Sequence, residues 1–141
     1  MEFYQGKKSE ELKHHVCAVL DELGLKYETE RYSEVNSAII GKRRRIDVVV
    51  VDDESNPLMH IECKHQRTAG TAEVKLFRAV VESNRDKNLG IPSIIVFSGF
   101  GWTPADMRHA LLNGSVRIEF FKDWMKLFFS YRKLEPDSIC D

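Results

Sequence analysis

Leu12, Val16, Val19, Leu20 and Leu23 recur at intervals of three and four residues, and Gly24 follows the last of them, a spacing that predicts an amphipathic helix over about residues 8–23 with Ser9 as a possible cap. Lys26 to Tyr32 mixes polar and apolar residues and predicts a strand near a sheet edge; Ser33 to Gly41 reads as a loop. Ile46 to Val51 is β-branched apart from Asp47 and apolar on both faces, the pattern of a strand buried in a sheet. Leu58 to Cys63 forms the next strand after the turn Asp52-Asp53-Glu54-Ser55-Asn56-Pro57. Thr68-Ala69-Gly70-Thr71 then breaks the chain, and Thr71 is placed to cap a helix to about Arg85 whose apolar stripe is Val74, Phe77, Val80 and Val81. Asn88-Leu89-Gly90 ends that helix before a buried strand, Ile91 to Phe97. Thr103-Pro104 opens a short helix through Leu112, Gly114 closes it, Val116 to Phe121 reads as a strand, and Asp123 caps a last helix carrying Trp124, Leu127, Phe128 and Tyr131.

This order gives an α/β fold: a core of helix, three strands, helix and strand over about residues 6–98, a helix-strand-helix extension over about 99–134, and a loose tail over 135–141. With no linker, repeat or low-complexity stretch, residues 1–141 read as a single domain, with a mixed central sheet flanked by helices and a right-handed crossover before its parallel strand. At 141 residues and 43% hydrophobic content the chain can bury a full core without metal or disulfide staples. Cys17, Cys63 and Cys140 are odd in number and scattered, which argues against a disulfide scaffold and for a reducing, cytoplasmic setting. Neither a signal peptide nor a membrane span is visible in the sequence.

The chemistry concentrates where the two central strands meet. If the hairpin folds near Ser55, antiparallel pairing places residue numbers summing to about 110 opposite one another, so Asp47 falls beside Glu62 and Cys63. Strand alternation puts His60, Glu62, Lys64 and Gln66 on one face and Ile61 and Cys63 on the other. Two carboxylates and an ammonium at one point of a sheet suit metal-assisted hydrolysis of a phosphodiester. Mg²⁺, for which Mn²⁺ can substitute, takes hard oxygen ligands; Asp47, Glu62 and the main-chain carbonyl of Cys63 would supply them. Lys64 would orient or deprotonate the attacking water and stabilise charge at phosphorus. His60, Cys63 and His65 suggest zinc, but alternation splits them between faces and the paired short spacings of structural zinc are missing.

With an acidic residue in one strand and Glu-x-Lys in the next, here Asp47, Glu62 and Lys64, the chain resembles the PD-(D/E)XK nuclease superfamily, although Ile46 stands where the motif has proline. The order of elements over about residues 6–98 resembles that superfamily's restriction-endonuclease-like core. The resemblance implies metal-dependent cleavage of DNA. It also implies an acidic residue on the first helix pointing at the metal: Glu10 or Glu11, with Glu10 preferred because Gly6 followed by Glu10 is similar to the opening of small archaeal Holliday-junction resolvases. Gln66, in Glu-Cys-Lys-His-Gln, is similar to the continuation seen in restriction-type and repair members and would hydrogen-bond Lys64, a phosphate oxygen or a metal-bound water.

A net charge of -1 does not by itself announce a nucleic-acid binder, since affinity for DNA rests on phosphate neutralisation. The basic residues nonetheless gather near the site, and Lys42, Arg43, Arg44, Arg67, Lys75 and Arg78 are the expected DNA contacts. The expected function is a Mg²⁺-dependent DNA endonuclease of restriction or repair type. A Holliday-junction resolvase and a noncatalytic DNA-binding or assembly module keeping the fold are the alternatives. The apolar face of the last helix either completes the core or forms a homodimer seam.

Overall fold

The computed structural model describes residues 9–36, 41–65, 72–99, 105 and 114–133. Helix α1 (Ser9–Glu22) opens the chain and buries Leu12, Val16, Val19 and Leu20. Its stop is the one the sequence announces: Gly24 takes a left-handed φ of 72°, and the amide of Leu25 donates back to the carbonyl of Leu20 at 3.0 Å.

Three antiparallel strands follow, β1 (Lys26–Asn36), β2 (Arg43–Val51) and β3 (Pro57–His65). The crossover helix α2 (Ala72–Asn88) then leads to β4 (Ser93–Ser98), parallel to β3, and β5 (Ser115–Arg117) runs parallel to β4. The result is a mixed five-stranded sheet in the order β1-β2-β3-β4-β5, with β1 at one edge. The last helix is α3 (Ile118–Lys133). Helices α1 and α3 cover one face, where Leu12, Val16 and Leu20 meet Val48, Val50, Ile61, Cys63, Ile94, Val96, Phe121 and Met125. Helix α2 packs on β4 from the opposite face.

The β2–β3 turn closes on Asp52, whose Oδ1 accepts from the amides of Glu54 at 2.9 Å and Asn56 at 2.8 Å, while Ser55 adopts a left-handed φ of 65°. Pairing Val48 with Ile61, Val49 with His60 and Val50 with Met59 follows from this turn. The next rung would set Asp47 opposite Glu62.

Several boundaries differ from the sequence reading. Strand β1 continues to Asn36, beyond the expected end at Tyr32, because Asn36 still pairs with Arg43 after a register shift. The expected strand Val116 to Phe121 is a strand only over Ser115–Arg117; from Ile118 the chain is helical, and Asp123 lies inside α3 rather than capping it. The residues 116–121 satisfy period two on paper, but Ile118, Phe121 and Met125 are buried and Phe120 is 61% exposed, which is a helical phase. The buried face of α2 is also rotated: Ala79, Val80, Glu82, Ser83 and Asp86 are buried while Val81 is only half-buried. The side chains of Val74, Lys75 and Phe77, the short helix expected over Thr103 to Leu112 apart from Ala105, and the tail lie outside the described residues.

Candidate active site

Asp47, Glu62 and Lys64 come from the two central strands, and the backbone arranges the acids directly. The amide of Cys63 donates to Asp47 Oδ2 at 2.8 Å, so the first acid is oriented by the main chain of the strand that carries the second. Glu62 and His60 turn toward α2, whereas Met59, Ile61 and Cys63 turn into the core under α1. Cys63 is buried with them, and its thiol is held protonated, pushed well above its ordinary value by burial and then by the negative charges of Asp47 and Glu62.

A local inversion in β2 shapes this corner. Strict alternation would place Ile46 with Val48 and Val50, yet Ile46 packs with Val49 and Val51 while Val48 and Val50 belong to the α1 side. The switch falls at Asp47. On the neighbouring strand, Glu30 sits between the rungs Thr29–Val48 and Arg31–Ile46 and has a left-handed φ of 56°, a conformation that costs a non-glycine residue about 1–2 kcal/mol. The inversion sends Arg44 to the α2 side and Arg45 to the other, where Arg45 Nε meets Glu30 Oε2 at 3.0 Å.

Glu62 is buried, and its carboxyl is pushed up to about 8, first by desolvation and next by the Asp47 carboxylate; Arg44 and Lys64 act in the opposite sense. Arg44 Nη2 lies 3.4 Å from Glu62 Oε1, within ion-pair range, but Oε1 has no hydrogen-bond partner. A buried carboxyl beside a second carboxylate is an arrangement that favours a bound cation or a retained proton. Among the described residues no three His, Cys, Asp or Glu side chains converge to hold a metal. Two carboxylates with the rest of the shell left to main-chain oxygen and water fit a hard divalent ion.

The sequence did not announce the polar cluster behind Glu62. Asp86, fully buried on α2, accepts from Arg44 at both oxygens, at 3.2 Å and 2.9 Å, and His60 Nδ1 lies 3.0 Å from its Oδ2. Burial would raise the Asp86 carboxyl, but the hydrogen bonds to His60 and Arg44 outweigh it and hold it below its ordinary value. Glu82 Oε2 stands 4.0 Å from Arg44 Nε. Burial likewise opposes the charge on Arg44, and Asp86, Glu62 and Glu82 together keep it firmly protonated. The available signal was the four-residue spacing of Glu82 and Asp86, one turn apart on a helix whose apolar stripe ends at Val81.

The remaining expected site residues are dispersed. Lys64 is half-buried at the C-terminal end of β3, in register with Phe97. Glu10 is exposed and pairs with Lys13 at 3.3 Å; Lys13 also binds Glu30, and Glu10 does not join the acid pair. Glu11 is exposed as well. Of the basic run, Lys42 and Arg43 are exposed, with Arg43 Nε donating to the Ser33 carbonyl at 2.6 Å. Arg44, expected on the DNA side, is instead turned inward with its side chain 12% exposed, because the inversion at Asp47 aims it at Asp86. Arg78 is exposed on α2; Gln66, Arg67 and the Lys75 side chain lie outside the described residues. His60 is engaged with Asp86 and His65 with Ser98, the latter at 2.7 Å.

A family model described as a PD-(D/E)XK nuclease superfamily domain matches residues 4–124. No curated protein matches the chain. Among solved structures, the crystal structure of a protein of unknown function, AF1548, is similar, with 20% sequence identity and a TM-score of 0.49 over 78% of this chain; the chain spans 57% of that protein's length. The mixed sheet flanked by helices agrees with a restriction-endonuclease-like fold. Among the described residues no helix is long and apolar enough to cross a membrane.

Proposed function

Because the chain belongs to the PD-(D/E)XK nuclease superfamily, we propose that it is a Mg²⁺-dependent DNA endonuclease, of restriction or repair type, whose site is Asp47, Glu62 and Lys64. The observation that carries this reading is the backbone-anchored Asp47 beside the buried carboxyl of Glu62, two acids at one point of the sheet. Asp47, Glu62 and the Cys63 carbonyl would hold the ion, with Mn²⁺ able to replace Mg²⁺. When bound, the ion supplies Lewis acidity at the scissile phosphate and makes water a stronger acid.

The chain's own residues do the rest. The Cys63 amide keeps Asp47 aimed along the sheet; burial around Glu62 excludes competing water; and the Lys64 ammonium, on the same face as Glu62, orients the attacking water and offsets negative charge developing on the phosphoryl oxygens. Lys42, Arg43 and Arg78, all exposed, are suited to grip the phosphate backbone.

Incubation of supercoiled plasmid, linear duplex and a four-way junction with Mg²⁺, Mn²⁺ or EDTA tests the reading. Cleavage that requires the ion and disappears in Lys64→Ala and Glu62→Gln is expected. Cleavage that persists in both variants would exclude this site, and binding without cleavage of any substrate would favour a noncatalytic DNA-binding module.

A further inference from the structure

Arg44 sits in a basic run, yet its side chain is only 12% exposed and faces inward among carboxylates from three directions: Asp86 and Glu82 on α2 and Glu62 on β3. Its fork is fully engaged by Asp86, through Nη1 to Oδ1 at 3.2 Å and Nη2 to Oδ2 at 2.9 Å. His60, two residues before Glu62 on the same strand face, lies 3.0 Å from the same Oδ2 of Asp86 that accepts from Arg44 Nη2. The guanidinium is therefore fixed from behind, and Nη2 is left 3.4 Å from Glu62 Oε1.

A buried cluster of this kind is a poor device for stability alone. The desolvation of its ions is costly, and packed apolar side chains of the same volume often do as well. Its distinguishing property is geometric. A two-point clamp from Asp86 restricts where the guanidinium can lie, and the guanidinium in turn restricts one oxygen of Glu62.

We propose that Arg44 is a positioning residue for Glu62: clamped by Asp86, which His60 in turn engages, it ion-pairs Oε1 so that the rest of the carboxylate, together with Asp47, faces a divalent cation. The proposal rests on the Asp47–Glu62 pair being the cation site. It distinguishes geometry from charge, because the two act in opposite directions. As a bare positive charge, Arg44 would repel the incoming cation, and removing it would tighten binding. As a positioning residue, its removal loosens a ligand, and the loss of such an outer partner typically weakens metal affinity by about 10–100-fold.

The experiment is Mn²⁺ titration by calorimetry on the whole chain, with far-UV circular dichroism melts alongside, for the wild type, Glu62→Gln, Arg44→Gln, Arg44→Lys and Asp86→Asn. Expected is a Kd raised about 10–100-fold in Arg44→Gln and Asp86→Asn, with Arg44→Lys failing to restore it because an ammonium cannot occupy the two-point clamp. Affinity that is unchanged or tighter in Arg44→Gln, or fully retained in Arg44→Lys, overturns the proposal. If Arg44→Gln and Asp86→Asn do not fold, Arg44→Lys, which keeps the charge, decides. A wild type that binds Mn²⁺ no better than Glu62→Gln overturns the cation site and this inference together; binding lost in Glu62→Gln but intact in the Arg44 and Asp86 variants overturns this inference alone.

Discussion

Asp47 Oδ2 and the amide of Cys63 are joined by a 2.8 Å hydrogen bond across β2 and β3. Asp47 therefore has a structural bond beside the metal-binding role proposed for it, and two substitutions separate them. Asp47→Ala strands a buried amide, at a cost of about 1–3 kcal/mol, and abolishes cleavage. Asp47→Asn retains an acceptor oxygen, so urea unfolding returns close to wild type while cleavage stays lost. Equal destabilisation by both would show that the carboxylate charge, rather than the acceptor, serves the strand.

Glu62 carries a pH signature. Its carboxyl lies at about 8 in the folded chain against an ordinary 4.5, mainly through burial and then through Asp47. A raised value means that the folded state holds the proton more tightly, so this group's contribution to stability is complete below about 4.5 and is lost as pH rises toward about 8. In EDTA the urea midpoint should fall across that window, Glu62→Gln should flatten the decline, and Mn²⁺ should restore the wild type at the alkaline end. A wild-type midpoint that does not change over the window would contradict the burial of an ionisable Glu62.

Exposed and inward basic residues should behave differently toward DNA. Lys42→Ala removes one exposed cation and is expected to shallow the slope of log affinity against log salt by about 0.9, the value of a single neutralised phosphate. Arg44→Lys, with its side chain inside the Asp86 cluster, should leave that slope unchanged. Fluorescence anisotropy with labelled duplex across a salt series reads both.

Gly114 precedes β5 with a left-handed φ of 81°, and a Cβ there would lie 2.8 Å from Lys87 Nζ. The lysine end can move aside, so the backbone conformation sets the cost. Gly114→Ala should destabilise the chain by about 1–2 kcal/mol and lower its melting temperature without altering cleavage at permissive temperature. An unchanged melting temperature would show that the turn relaxes to a different backbone.

The acid pair is legible in the sequence because it depends only on local rules: the Asp52 turn fixes the register, and the register brings Asp47 to Glu62. The inversion at Asp47 is not, since nothing in Arg-Ile-Asp-Val departs from an alternating strand; the left-handed Glu30 across from it is a tertiary solution in a residue that ordinarily avoids that conformation. That hidden step is also why Arg44 reads as a DNA-facing residue. The start of helix α3 is displaced by several residues in the sequence reading because Val116 to Phe121 satisfies both periods, and only burial of Ile118 with Phe121 and Met125 decides between them. The cluster on α2 escapes notice because Glu82 and Asp86 look like a solvated flank until Arg44 is placed above them.

The Arg44–Asp86 clamp joins positions 42 residues apart, whereas β1 to β3 form a meander of short hairpins. Closing so long a loop carries an entropic cost that local pairing does not, so the meander can assemble before the crossover helix docks. A chain still emerging during synthesis would then hold both acids in register with Glu62 unrestrained. The geometry proposed for the site would be among the last features to mature, and hydrogen exchange at α2 would report the opening that releases it.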